Sequence, residues 1–262
     1  MHTASLFLMR VLATGTTWIV AVLPVALPGV WSSRSIRSEG LPPGKSANRW
    51  WPLAWVAGLL YLDLACVLAP KAGPFSRLDW NWQGKLLECA WACLFLLMVG
   101  GKATRYGLRW RPEGKSGLPI LAAGFAACAL PMLFWFQGMR LPADRETLLF
   151  ELTIPGISEE LVFRGIFQSL LNHVFPRRWH FAGAAFGWGA VLTAVLFSVA
   201  HGFLFDRRLH FQFSFFSIVM TFIPAALLGW LRERTGTIWP GIIVHNLADG
   251  LPLLATLFLG SR

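Results

Sequence analysis

Ionisable residues suited to acid–base chemistry occur where the chain is otherwise apolar. The first group is Glu159, Glu160 and Arg164 in Ser158-Glu159-Glu160-Leu161-Val162-Phe163-Arg164. A charged side chain within hydrocarbon costs roughly 3 kcal/mol or more, so such a trio persists only by internal pairing, by facing a wet cavity or by carrying a function. On a helix Glu160 and Arg164 stand one turn apart and can pair, which holds Glu160 ionised and fixes its rotamer. Glu159 points about 100° round the helix from Glu160, away from that arginine, and is expected to be the carboxylate left free for chemistry. A second stretch ends in Phe197-Ser198-Val199-Ala200-His201, where Phe197 lies one turn before the imidazole and can wall one side of it. A third contains His245-Asn246-Leu247-Ala248-Asp249, with His245 and Asp249 one turn apart on one face.

The elements that must carry these residues are apolar runs of about 20 residues, at about 5–30, 51–70, 86–100, 118–138, 148–171, 183–203, 211–231 and 239–259. The fold class expected is all-α: a polytopic transmembrane helical bundle of about eight helices forming one integral domain. Within it, 1–147 supply N-terminal helices and basic loops, and 148–262 the core with the three ionisable groups. Pro224 and Pro252 are expected to bend the last two helices, while Pro240 suits the first turn of the eighth. Asp63 and Glu88 are further acids in apolar runs, read either as parts of an ion path or as hydrogen-bonding partners of a neighbouring helix. The Ser-, Gly- and Pro-rich stretch 32–49 reads as a flexible loop.

Composition supports the membrane reading. Of 262 residues, 55% are hydrophobic and only 14% charged, far more apolar than a soluble domain of this size requires. The net charge of +10 resides in short loops between apolar runs, which fits lipid headgroups and membrane orientation and not nucleic acid. The Lys/Arg distribution among those loops puts both termini outside. Tryptophans at the predicted ends, among them Trp31, Trp50, Trp51, Trp80, Trp82, Trp110, Trp179 and Trp239, suit an aromatic belt. The four cysteines fall inside apolar runs without metal-ligand spacing and read as small core residues.

Taken in order, Glu159-Glu160-xxx-Arg164, Phe197-xxx-His201 and His245-xxx-Asp249 resemble the EExxxR, FxxxH and HxxxN/D motifs of the CPBP intramembrane protease family. That family comprises glutamic-type enzymes and includes the Rce1-like CAAX proteases and the bacterial Abi proteins. The resemblance covers about 150–255. It implies an intramembrane endopeptidase without metal or other cofactor, in which Glu159 and His201 activate a water, His245 and Asp249 face the oxyanion, and Glu160, Arg164 and Phe197 support them. It also implies a membrane-associated peptide or protein substrate and a multi-pass location in a bacterial inner membrane. The best-understood members carry asparagine where this chain has Asp249. An ionised Asp249 would repel an oxyanion, so it is protonated, or it orients His245, or it yields its role to Asn246.

Other classes compete. Glu, His and His could hold a zinc ion, although the HExxH spacing is missing. Intramembrane acids and histidines also serve proton-coupled transporters, and a non-catalytic immunity or scaffold protein could retain the same fold.

Overall fold

A computed structural model describes residues 2–35, 51–113, 117–136, 144–175 and 179–259. The helices are α1 (His2–Ser35), α2 (Trp51–Val67), α3 (Trp82–Met98), α4 (Gly117–Phe136), α5 (Arg145–Glu151), α6 (Ile154–Glu159), α7 (Gln168–Val174), α8 (Trp188–Gly202), α9 (Phe215–Thr235) and α10 (Trp239–Leu259). A π-helical segment, Glu160–Phe167, joins α6 to α7. Among the described residues the strands form two short hairpins, β1 (Trp179–Phe181) with β2 (Ala184–Phe186) and β3 (Phe203–Phe205) with β4 (Phe211–Phe213). The fold is therefore an all-α membrane fold, and among the described residues four helical stretches are long and apolar enough to cross a bilayer: Ala4–Pro28, Gly117–Phe134, Phe215–Thr235 and Trp239–Leu259. The apolar helices α2 and α8, of 17 and 15 residues, are shorter than the spans expected there. Large apolar side chains point outward, Phe125 at 81% exposure among them, as lipid-facing helices require.

Several expectations need correction. The run at 148–171 is not one helix: α5 stops at Glu151, Thr153 leaves helical geometry at φ −130° and ψ −70°, and α6 restarts with Pro155 in its first turn. Proline has no N–H to donate back into α5 and its ring would clash with the preceding turn, so the chain breaks before it. The sixth and seventh helices begin later than 183 and 211, because β1–β2 and β3–β4 occupy those positions. The turn at Ala182-Gly183 has positive φ at both residues, 48° and 79°, the twist that suits a two-residue hairpin. Of the expected loop at 32–49, residues 32–35 belong to α1 and 36–49 lie outside the described residues.

The chain forms two compact units, Met1–Ala69 with Ile166–Trp230, and Pro70–Gly165 with Leu231–Arg262. In the first, α1 packs on α2 and α8, and α7 on α2 and α8. Two side chains of α1 fasten the hairpin that follows α8: Arg10 Nε donates to the Phe205 carbonyl and Trp18 Nε1 to that of Phe203, both at 2.6 Å.

In the second unit α10 packs along α4, α5 and α6, and α3 lies against α6. Two polar devices set these positions. Asp144 caps α5, its Oδ1 accepting from the Thr147 N–H at 2.9 Å. Glu146 in the first turn then accepts from the Asp79 and Trp80 backbone N–H groups at 3.2 and 3.0 Å and from Trp82 Nε1 at 3.2 Å. Phe150 is buried between Trp80 and Trp82, with ring centroids 5.0 and 5.1 Å away. The start of α3 is thereby fixed to α5. The second device is Asn246 of α10, which accepts from the Gly156 N–H at 2.8 Å and donates to the Thr153 carbonyl at 2.9 Å. It satisfies backbone groups exposed by the α5–α6 break, and a Cβ at Gly156 would overlap its amide.

Replacing Asn246 by alanine orphans the buried Gly156 N–H and the Thr153 carbonyl. A loss of about 2–4 kcal/mol is expected for two such bonds, read as a lower Tm of the detergent-solubilised protein. The donors on Glu146, the Trp80 N–H first, hold its carboxyl below the ordinary value of 4.5. A depressed folded-state pKa contributes stability above the unfolded value and loses it as pH falls through the folded one. The Tm difference between wild type and E146Q is therefore expected to be present at neutral pH and to shrink as the pH is lowered below about 4.5.

Candidate active site

The second unit gathers ionisable side chains from α3, α6, the π-helical segment and α10. Lys85 Nζ of α3 lies 2.8 Å from Glu88 Oε2, one turn along its own helix, and 2.8 Å from Glu159 Oε1 at the end of α6. The other oxygen of Glu159 is 3.6 Å from His245 Nε2. His245 continues the line through Nδ1, 3.0 Å from Glu160 Oε1, and Glu160 Oε2 is 3.6 Å from Arg164 Nε. Asp249 joins from the side, with Oδ2 3.4 Å from His245 Nε2. Six of these seven side chains are at most 13% exposed; that of Asp249 is 35% exposed and is where the cluster opens.

The local backbone makes this line possible. Glu159 ends α-helical geometry, and Glu160 begins the wider π-helical turns that carry Arg164. Such turns are frequent at functional sites because the extra residue per turn reorients side chains. Gly241 in the first turn of α10 leaves room for Glu160, since a Cβ there would come within 2.9 Å of Glu160 Oε2. Two fixed cations, Lys85 and Arg164, face four carboxylates, those of Glu88, Glu159, Glu160 and Asp249. Both ring nitrogens of His245 face carboxylate oxygens, an arrangement that suits donation from both.

Glu159, expected to be the carboxylate left free for chemistry, has an ionic partner besides, because Lys85 takes one of its oxygens. Sequence reasoning passed over that lysine, which stands just before the apolar run at 86–100. The signal available was its spacing of three from Glu88, a helical pair in otherwise apolar sequence. Glu151, which ends α5, was also passed over. Asn246 is committed at both ends of its amide to Gly156 and Thr153.

His201 belongs to the first unit, in the last turn of α8. Its Nδ1 is 2.8 Å from the Phe197 carbonyl oxygen, and the two rings stand 4.5 Å apart between centroids. A carbonyl can only accept, so in the neutral ring the proton sits on Nδ1 and Nε2 carries the lone pair. Phe197 is buried and its ring limits how the imidazole can turn. In chemical terms the chain thus presents a buried carboxylate, a histidine whose neutral tautomer has a basic Nε2, and a second histidine flanked by acids.

No curated protein and no solved structure matches the chain. A family model does, that of the type II CAAX prenyl endopeptidases, Rce1-like, over residues 146–251, the stretch that holds Glu159, Glu160, Arg164, His201, His245 and Asp249. The protein is accordingly a membrane protein whose residues 146–251 match the model of the Rce1-like CAAX protease family.

Proposed function

We propose that this protein is an intramembrane glutamic-type endopeptidase that hydrolyses a peptide bond of a membrane-associated substrate. Glu159 is the general base, with His201 sharing the proton of the attacking water. The water oxygen adds to the peptide carbonyl carbon while its proton passes to the Glu159–His201 pair. Collapse of the tetrahedral intermediate breaks the C–N bond, and that proton leaves on the amine. His245 donates to the developing oxyanion through Nε2, while its Nδ1 is held by Glu160, which Arg164 holds in turn. Asp249 orients His245 in the resting site from 3.4 Å beside Nε2 and yields that N–H to the oxyanion as its charge develops, while Asn246 stays committed to the backbone.

The observation that carries the reading is the buried Glu159 carboxylate beside His245, at 3.6 Å, within the Rce1-like stretch. The chemistry asks for no cofactor or metal ion. The family's prenyl endopeptidase activity makes a prenylated peptide ending in a CAAX sequence the first substrate to try, and the bacterial Abi resemblance makes a bacterial cell membrane the setting. The unbroken line from Glu88 to Arg164 is also what a proton-coupled carrier needs. Glu159-dependent proton movement in proteoliposomes without any proteolysis would favour that second reading.

E159Q and H201A are each expected to lower cleavage per folded molecule by about 10²–10⁴-fold, as the loss of a general base does. Retained cleavage in either purified variant overturns the assignment. H245A is expected to lower kcat far more than it raises KM, because a donor to the oxyanion is engaged fully only in the transition state. The same peptide over a range of concentrations measures both.

A further inference from the structure

The ion pair between Lys85 and Glu159 joins two helices, and nothing in the motifs requires it. A lysine at the start of an apolar run ordinarily turns its ammonium out to water. Lys85 does the opposite: its side chain is only 13% exposed and its ammonium is shared by Glu88 and Glu159, each at 2.8 Å. Glu88 is 1% exposed. The helix that carries Lys85 is itself held in place, with the Asn81 side chain accepting from the Gly84 N–H at 3.1 Å and Glu146 binding the backbone at Asp79 and Trp80.

We propose that Lys85 is a positioning residue for Glu159: its ammonium holds one oxygen of that carboxylate in the anionic form and leaves the other turned towards His245. The inference rests on the assignment of Glu159 as the base. A base must be unprotonated to accept a proton, and in apolar surroundings an isolated carboxylate is the disfavoured form. Several charges face Glu159: Lys85 and Glu88 from α3, Glu151 from α5, Glu160 and Arg164 from the π-helical segment, and His245 and Asp249 from α10. Of these, Lys85 is in direct hydrogen-bond contact with a Glu159 oxygen, at 2.8 Å. Glu88 acts on Glu159 with the opposite sign. It lies near it as a like charge and competes for the same ammonium.

Opposite signs give a test that a purely structural pair would not pass. The purified full-length protein in nanodiscs is compared by infrared spectroscopy at fixed pH with K85M, E159Q and K85M/E159Q. K85M is expected to gain the C=O stretch of a protonated carboxyl, and K85M/E159Q to lack it. Absence of the band in K85M, or its survival in the double variant, overturns the proposal. Cleavage of the prenylated CAAX peptide supplies the second arm. K85M should move the acidic limb of the kcat/KM profile up by about one pH unit or more, K85R should bring it back, and E88Q should move it down. Shifts of the same sign in K85M and E88Q, or none, overturn the proposal. Should K85M fail to fold, E88Q and K85R carry the test. If the wild type cleaves nothing, the protease reading fails, and the spectra still decide whether Lys85 controls the protonation of Glu159.

Discussion

Charge in apolar surroundings has to be cancelled nearby, and this constraint organises the second unit. Its solution is a line of alternating partners, Glu88, Lys85, Glu159, His245, Glu160 and Arg164, in which each ion meets an opposite or hydrogen-bonding group within 2.8–3.6 Å. Removing one member of a buried ion pair typically costs about 3–5 kcal/mol, because its partner is left uncompensated. The line therefore demands that its helices hold their positions. The Glu146 contacts serve α3, and the Asn246 amide ties α10 to the start of α6. The absent side chain at Gly241 lets Glu160 sit against α10.

The two motif glutamates within this line have distinct partners. Glu159 is shared between a lysine and a histidine, so one oxygen stays engaged while the other faces the imidazole. Glu160 is spent on His245 and Arg164. Two adjacent glutamates in sequence thus end with different neighbours, and the change from α- to π-helical geometry falls between them.

The membrane class and the family were legible in the sequence because both are written in local patterns: apolar runs of spanning length, and acids or histidines four residues from a partner on the same helix. Arg164 beside Glu160 and Asp249 beside His245 depend on helical periodicity alone. Lys85 was not legible, since its contact with Glu159 crosses 74 positions of chain and a lysine at the head of an apolar run reads as a snorkelling anchor. The break at Thr153 was signalled by Pro155-Gly156 and was missed because the run at 148–171 was drawn from hydropathy, which is blind to backbone geometry. The β1–β2 and β3–β4 hairpins were masked for the same reason, their aromatic strands being as apolar as the helices they precede.

A π-helical turn holds one residue more than an α-helical turn, so the segment Glu160–Phe167 has the character of an insertion kept in place. Deleting a single residue there would let an ordinary α-helix close through the gap, with the flanking helices near their present rotation but without the wide turns that now direct Glu160 and Arg164. A shortened chain would keep its helicity and its hydrophobicity while the aim of those two side chains changed. In this part of the protein the number of residues is as strict a requirement as their identity, so homologous chains should tolerate substitution at the apolar positions of the segment far more readily than any change in its length.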